Sequence, residues 1–162
     1  MKNTFLLFLG ITILGACKKE DKTSITPSNP YVIASDTLNN LIDFNSFTLR
    51  TPKGWKKVIL QGTDSYYGGI KTNNNDTVYF DLGWYSNSLE VDSKTHAVSY
   101  DMIDNCYTKI VSPNTAGNGT TGIYIEKLRQ SELDRFNLYA QDLTKEDQNN
   151  LLVVFRTLKF KK

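Results

Sequence analysis

The stretch Thr77-Val78-Tyr79-Phe80-Asp81-Leu82-Gly83-Trp84-Tyr85 carries the clearest strand pattern in this chain of 162 residues. Every second residue from Val78 to Trp84 is apolar, which predicts a β-strand with those side chains on one face. The opposite face carries Tyr79, Asp81 and Tyr85. Because both faces bear aromatic side chains, we expect a central strand of a sheet, covered on both sides or covered on one side and functional on the other.

Short apolar runs on both sides of this stretch predict further antiparallel strands. Residues 65–71 form a hairpin partner joined by the Asn- and Asp-rich turn 73–76, and Gly68 and Gly69 allow a bulge or a close approach in it. Further strands are expected at 47–49, 58–60, 107–111, 123–128 and 136–143, the last two paired with each other. Residues 35–44 predict a short helix, and residues 97–106 a short helix or an irregular packed segment.

The chain closes on a predicted amphipathic helix that Thr144 caps, with Asp147 at the position of a capping box. Its apolar face consists of Leu151, Leu152, Val154, Phe155 and Leu158. Strands followed by one helix, without a βαβ rhythm, predict an α+β fold: a twisted antiparallel sheet packed by a C-terminal amphipathic helix.

The N-terminus has the pattern of a secretory signal, with Lys2 before an apolar run at residues 5–14. Leu14-Gly15-Ala16-Cys17 resembles the lipobox of bacterial lipoproteins. The resemblance implies cleavage before Cys17 and acylation of its thiol, so that the chain is anchored to a membrane through lipid such as palmitate. Lys18 in place of Asp implies sorting to the outer membrane of a Gram-negative cell.

These patterns divide the chain into a signal peptide (1–16), a lipidated flexible tether (17–44) and a single domain (45–162). The formal charge of +2 becomes +1 when Lys2 leaves with the signal, which gives no basis for nucleic-acid binding.

Cys17 is used for lipid, so Cys106 is expected to be a small buried hydrophobe outside any disulfide. His96, the only histidine, is expected in an exposed loop. The chain offers no catalytic triad, no metal site and no cofactor motif.

A family resemblance covers residues 45–162. It is carried by Phe47, Leu49, Pro52, Gly54 and Trp55 near the start of the domain and by Phe155, Thr157, Leu158 and Phe160 at its end. This pattern is similar to that of PsbP-type domains, which include many small bacterial lipoproteins. The resemblance implies an antiparallel sheet sandwiched by helices and a binding or accessory role without a shared catalytic set.

Aromatic side chains with polar tips gather on the predicted hairpin around the opening stretch. Such side chains suit recognition of a glycan, a peptide or a protein of the envelope, because they offer a large contact area with few rotatable bonds. Trp84 shares a face with Val78 and is expected in the core. The predicted ligand-binding residues are Tyr67, Tyr79, Asp81 and Tyr85. The leading hypothesis is therefore a lipid-anchored binding or accessory domain of the cell envelope that is not an enzyme.

Two alternative functions stay open at this point. Asp81 and Glu126 could form the carboxylate pair of a small envelope hydrolase, or the domain could be a structural subunit of an envelope assembly. Asp36-Thr37-Leu38 and Asp76-Thr77-Val78 also resemble the envelope O-glycosylation sites of some Gram-negative bacteria, with Thr37 the better candidate acceptor.

Overall fold

A computed structural model describes residues 38–128 and 134–161. Within these ranges the chain forms two antiparallel sheets and one C-terminal α-helix, which confirms the α+β class. The strands are β1 Asn40–Asp43, β2 Phe47–Thr51, β3 Lys56–Ile59, β4 Tyr66–Lys71, β5 Thr77–Leu82, β6 His96–Ile103, β7 Cys106–Pro113, β8 Thr120–Ile125, β9 Phe136–Gln141 and β10 Lys159–Phe160. Helix α1 spans Lys145–Val154, and a 3₁₀ turn follows at Phe155–Thr157.

Seven strands form the large sheet in the order β3-β4-β5-β9-β8-β7-β6, and β1, β2 and β10 form a small sheet in the order β1-β2-β10. The predicted pairing of the strands now labelled β8 and β9 is confirmed, as is the hairpin of β4 and β5. Because β5 lies between β4 and β9, the opening stretch is an inner strand, as its two aromatic faces predict.

The core lies on one face of the large sheet, here called the core face. Phe80 of β5 meets Phe44 and Phe47 at ring-centroid distances of 4.7 and 4.9 Å, and Phe47 meets Phe136 at 5.1 Å. Gly68 lies opposite Phe80 across the β4–β5 pair, and a Cβ on it would stand 2.5 Å from the Phe80 ring. The predicted close approach at this glycine is therefore what admits the phenylalanine.

Helix α1 begins where the sequence predicts. The Thr144 hydroxyl accepts a hydrogen bond from the Asp147 N–H at 3.2 Å, while the Asp147 carboxylate accepts one from the Asn74 amide at 3.0 Å. The aspartate therefore ties the helix to the β4–β5 turn. Leu151 and Val154 bury the apolar face of the helix. The described residues place this helix on one face of the large sheet and no second helix opposite it, so the helical sandwich of PsbP-type domains is not seen.

Two predictions made near the N-terminus need correction. Residues 40–43 form strand β1 instead of part of a helix, because they pair antiparallel with β2. Leu38 and Phe44 are buried, so the packed part of the chain includes residues from Leu38 on and does not begin at Asn45. Cys17, Thr37 and the rest of residues 1–37 lie outside the described residues.

Two further predictions fail around the large sheet. Residues 97–106 are neither helical nor irregular: most of them belong to β6, which turns into β7 through Asp104 and Asn105, both left-handed with φ of 48° and 64°. Two such residues make the tight turn that suits a two-residue hairpin loop. Trp84 is outside the core because β5 ends at Leu82, and its indole is 44% exposed with the Arg135 guanidinium 5.0 Å above the ring.

Candidate functional site

The second face of the large sheet, here called the outer face, carries polar and aromatic residues. Residues directly opposite each other on neighbouring strands share a face. One such row runs across six strands through Tyr67, Asp81, Asn137, Tyr124, Lys109 and Tyr100. Three of the four predicted ligand-binding residues, Tyr67, Tyr79 and Asp81, lie on this face, which is the face that the alternation in β5 predicts.

A long connection crosses the outer face because β5 and β6 are consecutive in the chain but lie four positions apart in the sheet. We call residues 83–95 the crossover segment. The Asn137 amide donates to the Asn87 carbonyl at 3.0 Å, and the Lys109 ammonium donates to the Ser88 carbonyl at 3.2 Å. These bonds to β9 and β7 hold the segment against the sheet, where it divides the outer face into two halves.

Leu89 anchors the middle of the crossover segment. Its side chain is 6% exposed, and a Cβ on Gly122 of β8 would stand 2.7 Å from the Leu89 Cδ1 atom. The leucine backbone is left-handed, with φ of 53°, a conformation that costs on the order of 1–2 kcal/mol for a residue with a Cβ. Burial of the side chain and the bond from its N–H to the Asn87 side-chain oxygen at 2.7 Å offset that strain.

The first half of the outer face holds a tyrosine cluster on β4, β5 and β9. The ring of Tyr79 lies 6.0 Å from that of Tyr67 and 6.0 Å from that of Tyr139. Burial raises the pKa of the Tyr67 phenol, and the neighbouring Tyr139, Tyr79 and Asp81 raise it further. The Tyr67 phenol therefore stays neutral at physiological pH.

Two acceptor atoms beside this cluster are left without a donor. The Asp81 Oδ1 and Asn137 Oδ1 atoms are buried, lie on residues paired across β5 and β9, and accept no hydrogen bond from the described residues. The Asn137 side chain is fixed in orientation, since its amide nitrogen donates to the Asn87 carbonyl. Buried acceptors without partners are rare, so this pair has unused capacity to accept hydrogen bonds from water or a bound group.

The second half of the outer face is an open cleft of about 290 Å³ beside the crossover segment. Its lining consists of Ser88, Glu90, Tyr100, Tyr107, Lys109, Tyr124 and Glu126. The rings of Tyr100 and Tyr107 are stacked, with their centroids 5.3 Å apart and their planes 5° from parallel. The two residues are 56% and 66% exposed. An apolar aromatic wall thus stands beside several polar groups.

The polar groups of the cleft are ordered by their own contacts. The Lys109 ammonium lies 3.3 Å from a Glu90 carboxylate oxygen, which also accepts a hydrogen bond from the Ser88 hydroxyl at 3.0 Å. Hydrogen bonds from Ser88 and Lys109, and the charge of Lys109, lower the pKa of Glu90. Burial raises the pKa of Tyr124 on the floor of the cleft. At neutral pH the cleft therefore offers a neutral phenol and a compensated ion pair.

The remaining predicted residues have different positions. Tyr85 lies on the turn after β5, 73% exposed and outside the lining of the cleft. Glu126 follows β8 and lines the cleft, whereas Asp81 lies two strands away with β9 between them. At a strand spacing of about 4.8 Å this places their backbones roughly 10 Å apart or more.

Sequence reasoning missed Tyr100, Tyr107 and Lys109 as site residues. The alternation of Val98, Tyr100 and Met102 is the signal that could have identified β6 as a strand with an aromatic outer face. Tyr107 was predicted on a strand, but only the pairing of β6 with β7 brings its ring against that of Tyr100.

His96 was predicted in an exposed loop. Instead it is the half-buried first residue of β6. Its Nε2 atom accepts the Thr120 N–H at 3.0 Å, and its Nδ1 atom lies 2.9 Å from the Thr95 hydroxyl. These contacts join the end of the crossover segment to β8. Cys106 is half-buried against the core.

Within residues 38–128 and 134–161, no cluster of three or more His, Cys, Asp or Glu side chains could hold a metal ion. None of the helices in those ranges has the length and apolar character needed to span a bilayer. No family model, curated protein or solved structure matches this chain.

Proposed function

We propose that this chain is a non-enzymatic glycan-binding domain of the cell envelope, anchored to the outer membrane through lipidated Cys17. The stacked, exposed rings of Tyr100 and Tyr107 beside the cleft carry this proposal. As a cross-strand pair these rings contribute only roughly 0.2–1 kcal/mol to stability, because more than half of each side chain stays in water and its apolar area is not buried. Exposed aromatic patches rimmed by polar groups are typical of binding sites.

The chemistry of the cleft favours a sugar among the ligands that the sequence leaves open. A pyranose ring has an apolar C–H face and a rim of hydroxyl groups that both donate and accept hydrogen bonds. The tyrosine rings match the apolar face, while the Lys109 ammonium and the carboxylates of Glu90 and Glu126 match the hydroxyls. Since the lining sets Lys109 against both Glu90 and Glu126, a neutral oligosaccharide suits the cleft better than an acidic one.

A binding role also agrees with the PsbP-type resemblance, which implies an accessory function without a catalytic set. We retain that relationship as part of the proposal on the strength of the motifs around Phe47–Trp55 and Phe155–Phe160. The proposed location depends on the lipobox pattern and on Lys18. Labelling of the expressed chain with palmitate, and loss of both label and membrane retention in Cys17→Ser, would support it; an unlabelled chain that is retained equally would contradict it.

The ligand is tested with the full chain in detergent micelles on an array of neutral and acidic oligosaccharides. We expect binding to neutral members, and a loss of affinity of about 30-fold (roughly 2 kcal/mol) in Tyr107→Ala, as for an aromatic residue at a binding hot spot. Tyr85→Ala is the matched control, because Tyr85 is just as exposed but does not line the cleft.

Three results would overturn the proposal. The array could show no binding, or Tyr107→Ala could bind as tightly as the unchanged chain. Cleavage of a bound oligosaccharide, abolished in Asp81→Ala and in Glu126→Ala, would instead establish the hydrolase alternative.

A further inference from the structure

The two edges of the large sheet differ in how they are protected. Strand β3 at one edge has four residues and begins with Lys56 and Lys57, both exposed. Short edge strands and lysines are devices that keep a sheet from pairing with another chain. Strand β6 at the opposite edge has eight residues, of which none is Lys or Pro, and pairs with β7 along its whole length without a bulge. Among the described residues no strand pairs with its other side.

The side chains of β6 also favour contact with a partner. Val98, Tyr100 and Met102 alternate along its outer side and are 39%, 56% and 60% exposed. The only acidic residue of the strand, Asp101, points to the core face, where the Arg156 guanidinium binds it. On that face Ala97 and Ser99 are small and exposed beside a groove of about 160 Å³ that α1 leaves open. The Met102 N–H donates to the Asp101 carboxylate at 2.8 Å. Elsewhere the edge combines backbone groups that no other described strand pairs with, an apolar row and space for neighbouring side chains.

We propose that β6 pairs antiparallel with β6 of a second copy of this chain, which joins two seven-stranded sheets into one. Two-fold symmetry needs a self-complementary surface, and this strand supplies one. In a register centred on Tyr100, Val98 faces Met102 of the other copy, so the apolar outer rows meet. Asp101 faces Ser99 of the other copy, so the two carboxylates do not meet. A highly charged partner would find no free counter-charge on this strand.

The pairing adds to the proposed function and does not depend on it. Each cleft lies beside β6, on the outer face, so the dimer places two clefts side by side on the same side of one sheet. If the clefts bind glycans as proposed above, a chain of linked sugars meets two sites, and the second contact forms at high effective concentration. Contact through one strand edge buries little area, so we expect micromolar pairing that membrane anchoring strengthens.

The first test is site-directed cross-linking of the full chain in detergent micelles. Tyr100→Cys places two thiols opposite each other across the two-fold axis, so mild oxidation should give a covalent dimer. Ile59→Cys on β3, at a residue 86% exposed, is the matched control and should stay monomeric, as should the unchanged chain with its native cysteines. Equal cross-linking of Tyr100→Cys and Ile59→Cys would overturn the proposal.

The second test measures the mass of the protein in the micelle by light scattering at protein concentrations up to about 100 μM, where micromolar pairing is visible. We expect a monomer–dimer equilibrium whose dissociation constant rises about tenfold or more in Val98→Lys, because a charge then faces Met102. Ile59→Lys should leave the constant unchanged. Circular dichroism checks that both variants fold. A monomer at every concentration would refute the pairing, while a dimer that binds no oligosaccharide would refute the proposed function alone.

Discussion

The two faces of strand β5 differ in how their side chains are buried. On the core face Phe80 is fully buried and contacts three other aromatic rings, those of Phe44, Phe47 and Tyr66. On the outer face its neighbours Tyr79 and Asp81 are half-buried. The core face is apolar and closed by the small sheet and α1. The outer face keeps the buried acceptors of Asp81 and Asn137 without a donor among the described residues.

The crossover segment sharpens this contrast. It covers the middle of the outer face as a single segment and not as a packed layer. A left-handed leucine and hydrogen bonds to side chains of the sheet hold it in place. Local strain of this kind is typical of functional regions. The difference between the faces teaches that stability is concentrated below the sheet, while the proposed binding surface lies above it.

The largest effect on the free energy of unfolding is expected from one of two single substitutions at neighbouring positions in β5. Phe80→Ala should lower the free energy of unfolding by about 4 kcal/mol, because it leaves a cavity among packed rings. Tyr79→Ala should lower it by about 1 kcal/mol, since it removes only cross-strand ring contacts. Unfolding in urea, followed by circular dichroism, measures both. Equal losses would mean that the outer face also serves as a core.

A smaller effect is expected from Leu89→Ala in the crossover segment. Loss of the buried side chain should cost about 2 kcal/mol, confined to the segment. Hydrogen exchange should then accelerate at residues 86–90 while β5 and β9 keep their protection. Tyr85→Ala, which removes an exposed side chain of the same segment, is the control and should change neither region. Global loss of protection in Leu89→Ala would show that the segment is part of the main folding unit.

The smallest effect concerns the link between the β6–β7 turn and the small sheet. Burial by itself would raise the pKa of Asp104, but the Phe160 N–H at 2.8 Å and the Lys159 ammonium at 3.0 Å hold that pKa below its ordinary value. A lowered folded-state pKa stabilises the protein above the unfolded value of about 4, and the stability is lost as pH falls through the folded value.

Asp104→Asn keeps the left-handed turn geometry and removes the charge. We expect a loss of about 1.5 kcal/mol at pH 7, typical of a hydrogen bond to a charged group. Thermal unfolding from pH 7 down to about pH 2 should show the two proteins converging once the carboxyl is protonated. Asp64→Asn, at an exposed residue, is the control. A difference that does not shrink in acid would show that the turn, and not the charge, is responsible.

Much of the fold could be predicted because its signals are local. Alternation in residues 77–82 identified β5 and assigned Tyr79 and Asp81 to a shared face, and Thr144 marked the start of α1. The same alternation gave the wrong end for β5. The alternation predicted for Trp84 runs past the end of β5, because the chain must leave the sheet there to begin the crossover.

The site was only half predictable for a different reason. Tyr67 and Tyr79 belong to one hairpin, so a short stretch of sequence brings them together. Tyr107 and Tyr124 meet Glu90 in one cleft only because β6, β7 and β8 follow β9 in the sheet and the crossover segment passes over them. No local pattern contains that order.

The sequence by itself therefore determined the α+β class, the faces of β5, the helix cap and the turn at residues 73–76, since each depends on residues a few positions apart. The tertiary structure alone decided the strand order, the path of residues 83–95, the open edge at β6 and the cleft beside it. The physical reason is that side-chain periodicity is a property of a single segment. Strand neighbours, in contrast, are selected by how segments distant in the chain bury their apolar faces together.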